Sequence, residues 1–249
     1  MTTATAADPL VRRQLTSWHA VVVLVAAGVA WVGLVRLAGS DMTSARAFIP
    51  AWALMMTAMM LPAVALVASL YTRTITPPSW ARQATFLLGY LVVWVGTALP
   101  AYGLSVLVQH AVTPHPTVAR VTGAAIFGLC GAYQLSGLKD RCLRHCRSPL
   151  GQLMRYASYA GRARDLRVGL HHAAYCLGCC WALMLLLFAF GTMALLAALG
   201  LTVVVVLEKL TPFGPRVARV TGWLALVLAV AALAVPDLAP GLAPMDSMV

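Results

Sequence analysis

Residues 168–207 read VGLHHAAYCLGCCWALMLLLFAFGTMALLAALGLTVVVVL, and the way this run divides decides the fold. As one helix it would be roughly twice as long as the ~30 Å hydrocarbon core of a bilayer. Two consecutive spans turning near Phe190-Gly191-Thr192 fit better. Working outward, further apolar runs occupy about residues 18–38, 47–70, 83–110, 118–138 and 217–235, each near or above the ~20 residues a crossing helix needs. None alternates polar and apolar residues as a membrane barrel strand would. The expectation is an all-α, polytopic transmembrane helix bundle of about seven helices with a cytoplasmic N-terminus. It comprises a tail over 1–17, a single helical domain over 18–235 with a cytoplasmic loop at 139–167, and a C-terminal tail over 236–249.

Composition agrees. The 249 residues are 61% hydrophobic and only 10% charged, with a mean hydropathy of +0.84, whereas about a quarter of a soluble domain is charged. The first apolar run follows Arg12-Arg13 but lacks a convincing small-residue cleavage site, so it reads as an uncleaved span. Lys and Arg number 18 against 7 acidic residues, a balance that would suggest nucleic acid in a soluble protein. Topology explains it here. With the N-terminus inside, every Lys and Arg except Arg36, Arg46 and Arg120 falls on the cytoplasmic side, as the positive-inside rule expects. Treating 168–207 as one element weakens that bias. The implied partner is therefore the lipid bilayer of the inner (plasma) membrane and not a nucleic acid. The basic 139–167 loop is expected to lay a short amphipathic helix against anionic headgroups, and the tail after 236 to be loosely ordered outside. Val-Ala-Arg-Val-Thr-Gly occurs at 118–123 and again at 217–222, leading into helices of opposite direction, as in an inverted repeat.

Sulfur marks the candidate site. Cys176, Cys179, Cys180 and Met184 are spaced by three and four residues, which puts them on one helical face. The second apolar run holds Met55, Met56, Met59 and Met60 as two adjacent stripes, followed by Pro62, which removes a backbone hydrogen bond. Cys130 lies in the fourth run, and Cys142, His145 and Cys146 follow it at helical spacing, unlike the paired Cys-x-x-Cys of a zinc ribbon. Thiolates and thioethers select soft ions such as Cu(I); in a core they also serve as packing. At 1.5 Å per residue Cys130 lies ~12 Å deep, Cys176 to Cys180 ~12–18 Å and Met59 and Met60 ~15 Å. Three helices thus place soft ligands at one level, with Cys142, His145 and Cys146 as a second, cytoplasmic station. His172, beside His171 at the start of the fifth helix, reads either as a solvated anchor or as a handoff ligand. Glu208-Lys209, at the end of the sixth, reads as a paired interfacial anchor.

Trp52-x-x-Met-Met-x-x-Met-Met-x-Pro62, Lys139-x-x-Cys-Leu-x-x-Cys146 and Cys176-x-Gly-Cys-Cys-Trp-Ala-Leu-Met184 with the later Glu208-Lys209 together resemble a bacterial family of predicted metal-binding integral membrane proteins of unknown function. The resemblance spans about residues 45–225 and implies metal binding. The leading expectation is a protein that binds, and transports or hands over, a soft transition metal, Cu(I) before Zn²⁺, in exchange with a metal-donor or metal-acceptor protein. A homo-oligomer is compatible with it. No nucleotide-binding loop is present to drive active transport, and an enzyme is the less favoured class. The alternative is a membrane thiol-disulfide oxidoreductase passing electrons through Cys176/Cys179 and Cys142/Cys146.

Overall fold

The computed structural model describes residues 18–37, 43–73, 79–112, 115–148, 151, 154–156, 158–235 and 238–242. The N-terminal tail and most of the C-terminal tail lie outside them. The described residues form an all-α bundle without a strand. Its helices are α1 (Trp18–Leu37), α2 (Ala45–Arg73), α3 (Trp80–Gly96), α4 (Ala98–Val112), α5 (Pro116–Gln134), α6 (Gly137–Cys146), α7 (Arg164–Phe190), α8 (Leu195–Leu210) and α9 (Gly214–Ala234).

The 168–207 run is indeed two helices. Gly191 ends α7 at φ +109°, a left-handed conformation that side chains with a Cβ resist, and α8 starts within a few residues. Only 16 residues long, α8 falls short of a full crossing. Five segments are long and apolar enough to cross a membrane, or six if α5 and α6, bent by 63°, count as one broken span. A multi-pass membrane protein is compatible with that. The helical break between α3 and α4 follows from Pro100, which has no N–H to offer the carbonyl of Gly96.

Two helices form the interior. The apolar windows of α2 and α7 are 72% and 61% buried, against 28% for α1 and 22% for α9. Around them, α1 packs on α2, α3 on both α2 and α7, and α5 on α9. At the α3–α7 crossing a Cβ on Gly169 would lie 2.1 Å from the Phe86 carbonyl oxygen, and one on Gly89 2.4 Å from that of Leu166. Backbone meets backbone there, which only glycine allows. The start of α7 is clamped by Asp165, which accepts from Tyr71 Oη (2.5 Å) and from Arg82 Nε and Nη2 (2.8 and 2.9 Å). The repeated hexapeptides open α5 and α9. Gly131 sits against Gly222, and Gly128 against Ala229, so these helices run antiparallel.

Two regions differ from expectation. The amphipathic helix of the 139–167 region, α6, turns its Lys139, Leu143 and Cys146 face into the bundle and packs mainly on α7. It starts where Ser136 Oγ accepts from the Lys139 backbone N–H at 3.2 Å, an N-cap that lets the chain change direction. Beyond α9, the described part of the tail is packed: Ala239 and Leu242 are buried, and Pro240–Leu242 forms a 3₁₀ turn against α7.

Candidate metal centre

Cys176, Cys179 and Cys180 are all at most 1% exposed, on the inner face their spacing predicts. The Cys179 and Cys180 sulfurs lie 3.2 Å apart. From α6, Cys146 Sγ comes to 3.8 Å from Cys179 Sγ. The bend between α5 and α6 therefore brings Cys146, read as part of a separate cytoplasmic station, onto the α7 thiols. Cys142, half-buried, lies against Gly178, where an added Cβ would be 3.2 Å from its sulfur. All six cysteines are free thiols.

Two buried lysines surround the cluster. Lys209 Nζ stands 2.8 Å from Cys176 Sγ, and Tyr90 Oη lies 3.0 Å from the same sulfur. Tyr90 Oη also reaches the Met60 carbonyl at 3.4 Å, which ties the methionine helix to Cys176. Lys139 Nζ donates to the Cys179 carbonyl and to Glu208 Oε2, both at 2.6 Å. Gln134 Nε2 donates to Glu208 Oε1 at 2.7 Å. Glu208 is paired, as an anchoring carboxylate would be, but its partner is Lys139 across the bundle, while Lys209 turns to the thiol. Adjacent residues on a helix project about 100° apart and cannot share a partner face.

The other sequence candidates are distributed around this centre. Met55, Met56, Met59 and Met60 are fully buried in the same core as the thiols, and Met184 is nearly so. Cys130 is fully buried, with no sulfur partner among the described residues. His172, 2% exposed, has its Nδ1 3.2 Å from Tyr156 Oη and its ring 5.8 Å from that of Tyr90. Burial pushes the Tyr156 phenol up from its ordinary value, so it stays protonated. His145 stacks on Tyr175 at 3.7 Å between ring centroids and stands 5.9 Å from His171, whose Nδ1 is 2.9 Å from Tyr159 Oη.

Among the described residues, no three His, Cys, Asp or Glu side chains close on a point that could hold a metal. The sulfurs meet instead in contacts of two, Cys146 with Cys179 and Cys179 with Cys180. Neither is a pairing that the redox alternative requires. Sequence reasoning missed Lys139, Lys209 and Tyr90 as neighbours of the thiols. The available signal was the rarity of charge inside long apolar helices, where an ionisable group marks function.

A bundle of long apolar helices whose interior carries thiols and thioethers, with little hard oxygen beside them, defines an α-helical protein with the donor set of a soft-metal handler. The chain belongs to the PpoB2 family, described as copper chaperone, which it matches over residues 49–232. That span contains every thiol of the cluster, the four α2 methionines and both lysines. No curated protein matches the chain, and no solved structure does.

Proposed function

We propose that this is a membrane-embedded carrier that takes up Cu(I) as cargo on the α6–α7 thiols and passes it on to an acceptor protein. The observation that carries the reading is the Cys146–Cys179 contact of 3.8 Å. Three thiolates around one ion at ordinary metal–sulfur distances of ~2.3 Å lie ~4 Å from one another, so these sulfurs need only small movements to share an ion. Contacts of two suit a soft monovalent ion, whereas a structural Zn²⁺ site requires four ligands. Overlapping pairs also suit a carrier: an ion on Cys146 and Cys179 can gain Cys180 before it loses Cys146, so it is never bare in an apolar interior. Charge supports the same reading. Two thiolates and Cu⁺ sum to one negative charge, which the Lys209 ammonium offsets where an unpaired charge would be costly.

Anaerobic competition of the detergent-solubilised protein against a chromophoric Cu(I) chelator tests it. Cys179→Ser removes the shared sulfur and is expected to weaken Cu(I) binding by at least about a hundredfold, since even outer-shell changes at metal sites cost 10–100-fold. An unchanged affinity would sink the proposal.

A further inference from the structure

A cavity of about 250 Å³ opens between α6 and α9, lined by Asp140, Leu143, Arg144, Arg147, Pro215 and Arg219. Helical spacing assembles it. Residues 140, 143 and 144 share one face of α6, which Arg147 at its C-cap extends, and 215 and 219 share one face of α9. Three guanidinium groups meet one carboxylate, so the cavity is net positive. Among the described residues, neither Arg144 nor Arg219 has an ion-pair partner. Arg147 is held in place, with Nη1 and Nη2 each donating at 3.4 Å, to the carbonyls of Glu208 and Pro212.

We propose that this cavity binds the phosphate of an anionic phospholipid. Guanidinium forks match phosphate oxygens in geometry as well as charge, and basic pockets at the ends of membrane helices take lipid headgroups. The surface beyond the cavity favours a lipid over free phosphate. One turn past Arg219, α9 presents Trp223, Val227 and Val230 to the outside at 63%, 64% and 71% exposure, an apolar track on which acyl chains can lie once the phosphate is held. The bound headgroup would tie α9 to α6 and, through Arg147, to the segment carrying Glu208. The proposal rests on the membrane reading of the helices and not on the copper reading.

The test is native mass spectrometry and thermal melting of the full chain in detergent, with short-chain phosphatidylglycerol, short-chain phosphatidylcholine and inorganic phosphate as separate probes. Phosphatidylglycerol is expected to give a one-to-one adduct and raise the melting midpoint, phosphatidylcholine to bind more weakly because its choline cation faces the arginines, and phosphate to do little. Arg144→Gln/Arg219→Gln should lower phosphatidylglycerol affinity at least about tenfold. Arg36→Gln/Arg46→Gln, which removes the same charge elsewhere, should not. Equal binding by wild type and the cavity variant, or equal loss in both variants, would overturn the site. An equal response to inorganic phosphate would overturn the lipid as its ligand. A chain that stays monodisperse without detergent would overturn the membrane premise itself and leave the copper test standing.

Discussion

Lys209 Nζ lies 2.8 Å from Cys176 Sγ, with the Cys176 side chain fully enclosed. An ammonium group beside a thiol in an apolar interior is an unusual expense: it needs an anion, and among the described residues no carboxylate pairs with it, because Glu208 is committed to Lys139. A thiolate complex of a monovalent cation provides that anion. Lys209→Met keeps the length and apolar stem but removes the charge. We expect it to fold and to bind Cu(I) some 10–100-fold more weakly, by the scale of other groups that tune metal ligands from outside the first shell. Lys209→Arg should retain more of the affinity. Chelator competition measures both, and a Met variant that binds like wild type would show that the charge has no part in the site.

The Lys139–Glu208 pair is a separate, structural matter. Both side chains are at most 1% exposed, and breaking such a pair from one side leaves a buried charge uncompensated, at a cost of about 3–5 kcal/mol. Glu208→Leu alone should therefore lower the melting midpoint sharply. Lys139→Met/Glu208→Leu should recover most of the loss, since apolar replacement of a whole pair is often neutral. Equal destabilisation by the single and double variants would contradict this account.

Glycine substitutions separate packing from chemistry. Gly169→Ala places a Cβ 2.1 Å from the Phe86 carbonyl oxygen, so α3 must move off α7 and carry Tyr90 away from Cys176. A loss of about 1–3 kcal/mol in stability is expected, with weakened copper binding. Gly178→Ala meets only the Cys142 sulfur, at 3.2 Å, which a side-chain rotation relieves. Its melting midpoint should stay close to wild type. Similar melting of the two variants would show that the α3–α7 backbone contact is not what fixes their spacing.

Most of the bundle was legible in hydropathy. The apolar runs became helices, and Phe190-Gly191-Thr192 marked the turn because φ +109° at Gly191 excludes a continued helix. The shared face of Cys176, Cys179 and Cys180 followed from spacing alone. Long-range consequences of one local bend were not legible. Nothing in the spacing of Cys142, His145 and Cys146 shows that a 63° turn after Gln134 folds them back onto α7. Sequence reading accordingly kept two stations, where the structure sets Cys146 against Cys179. Lys139 read as the first residue of a basic cytoplasmic loop, and Lys209 as part of an interfacial anchor with Glu208. Only the packing of α6 and α8 against α7 buries them beside the thiols.

The α6 contribution can be tested alone. Cys146→Ser leaves Cys176, Cys179 and Cys180 in place and removes the sulfur 3.8 Å from Cys179. Because the proposed transfer begins on that pair, we expect the rate of copper exchange with a soluble chelator to fall about tenfold or more, the scale of one lost group at a metal site. Equilibrium stoichiometry should remain near wild type. An unchanged exchange rate would place the entry point elsewhere.

X-ray absorption at the copper edge, on anaerobically Cu(I)-loaded protein, tests the central claim most directly. The account predicts a shell of two or three sulfurs at about 2.3 Å, lost when Cys176, Cys179 and Cys180 are replaced together by serine. A shell dominated by nitrogen or oxygen, or a sulfur shell that survives the triple replacement, would contradict it.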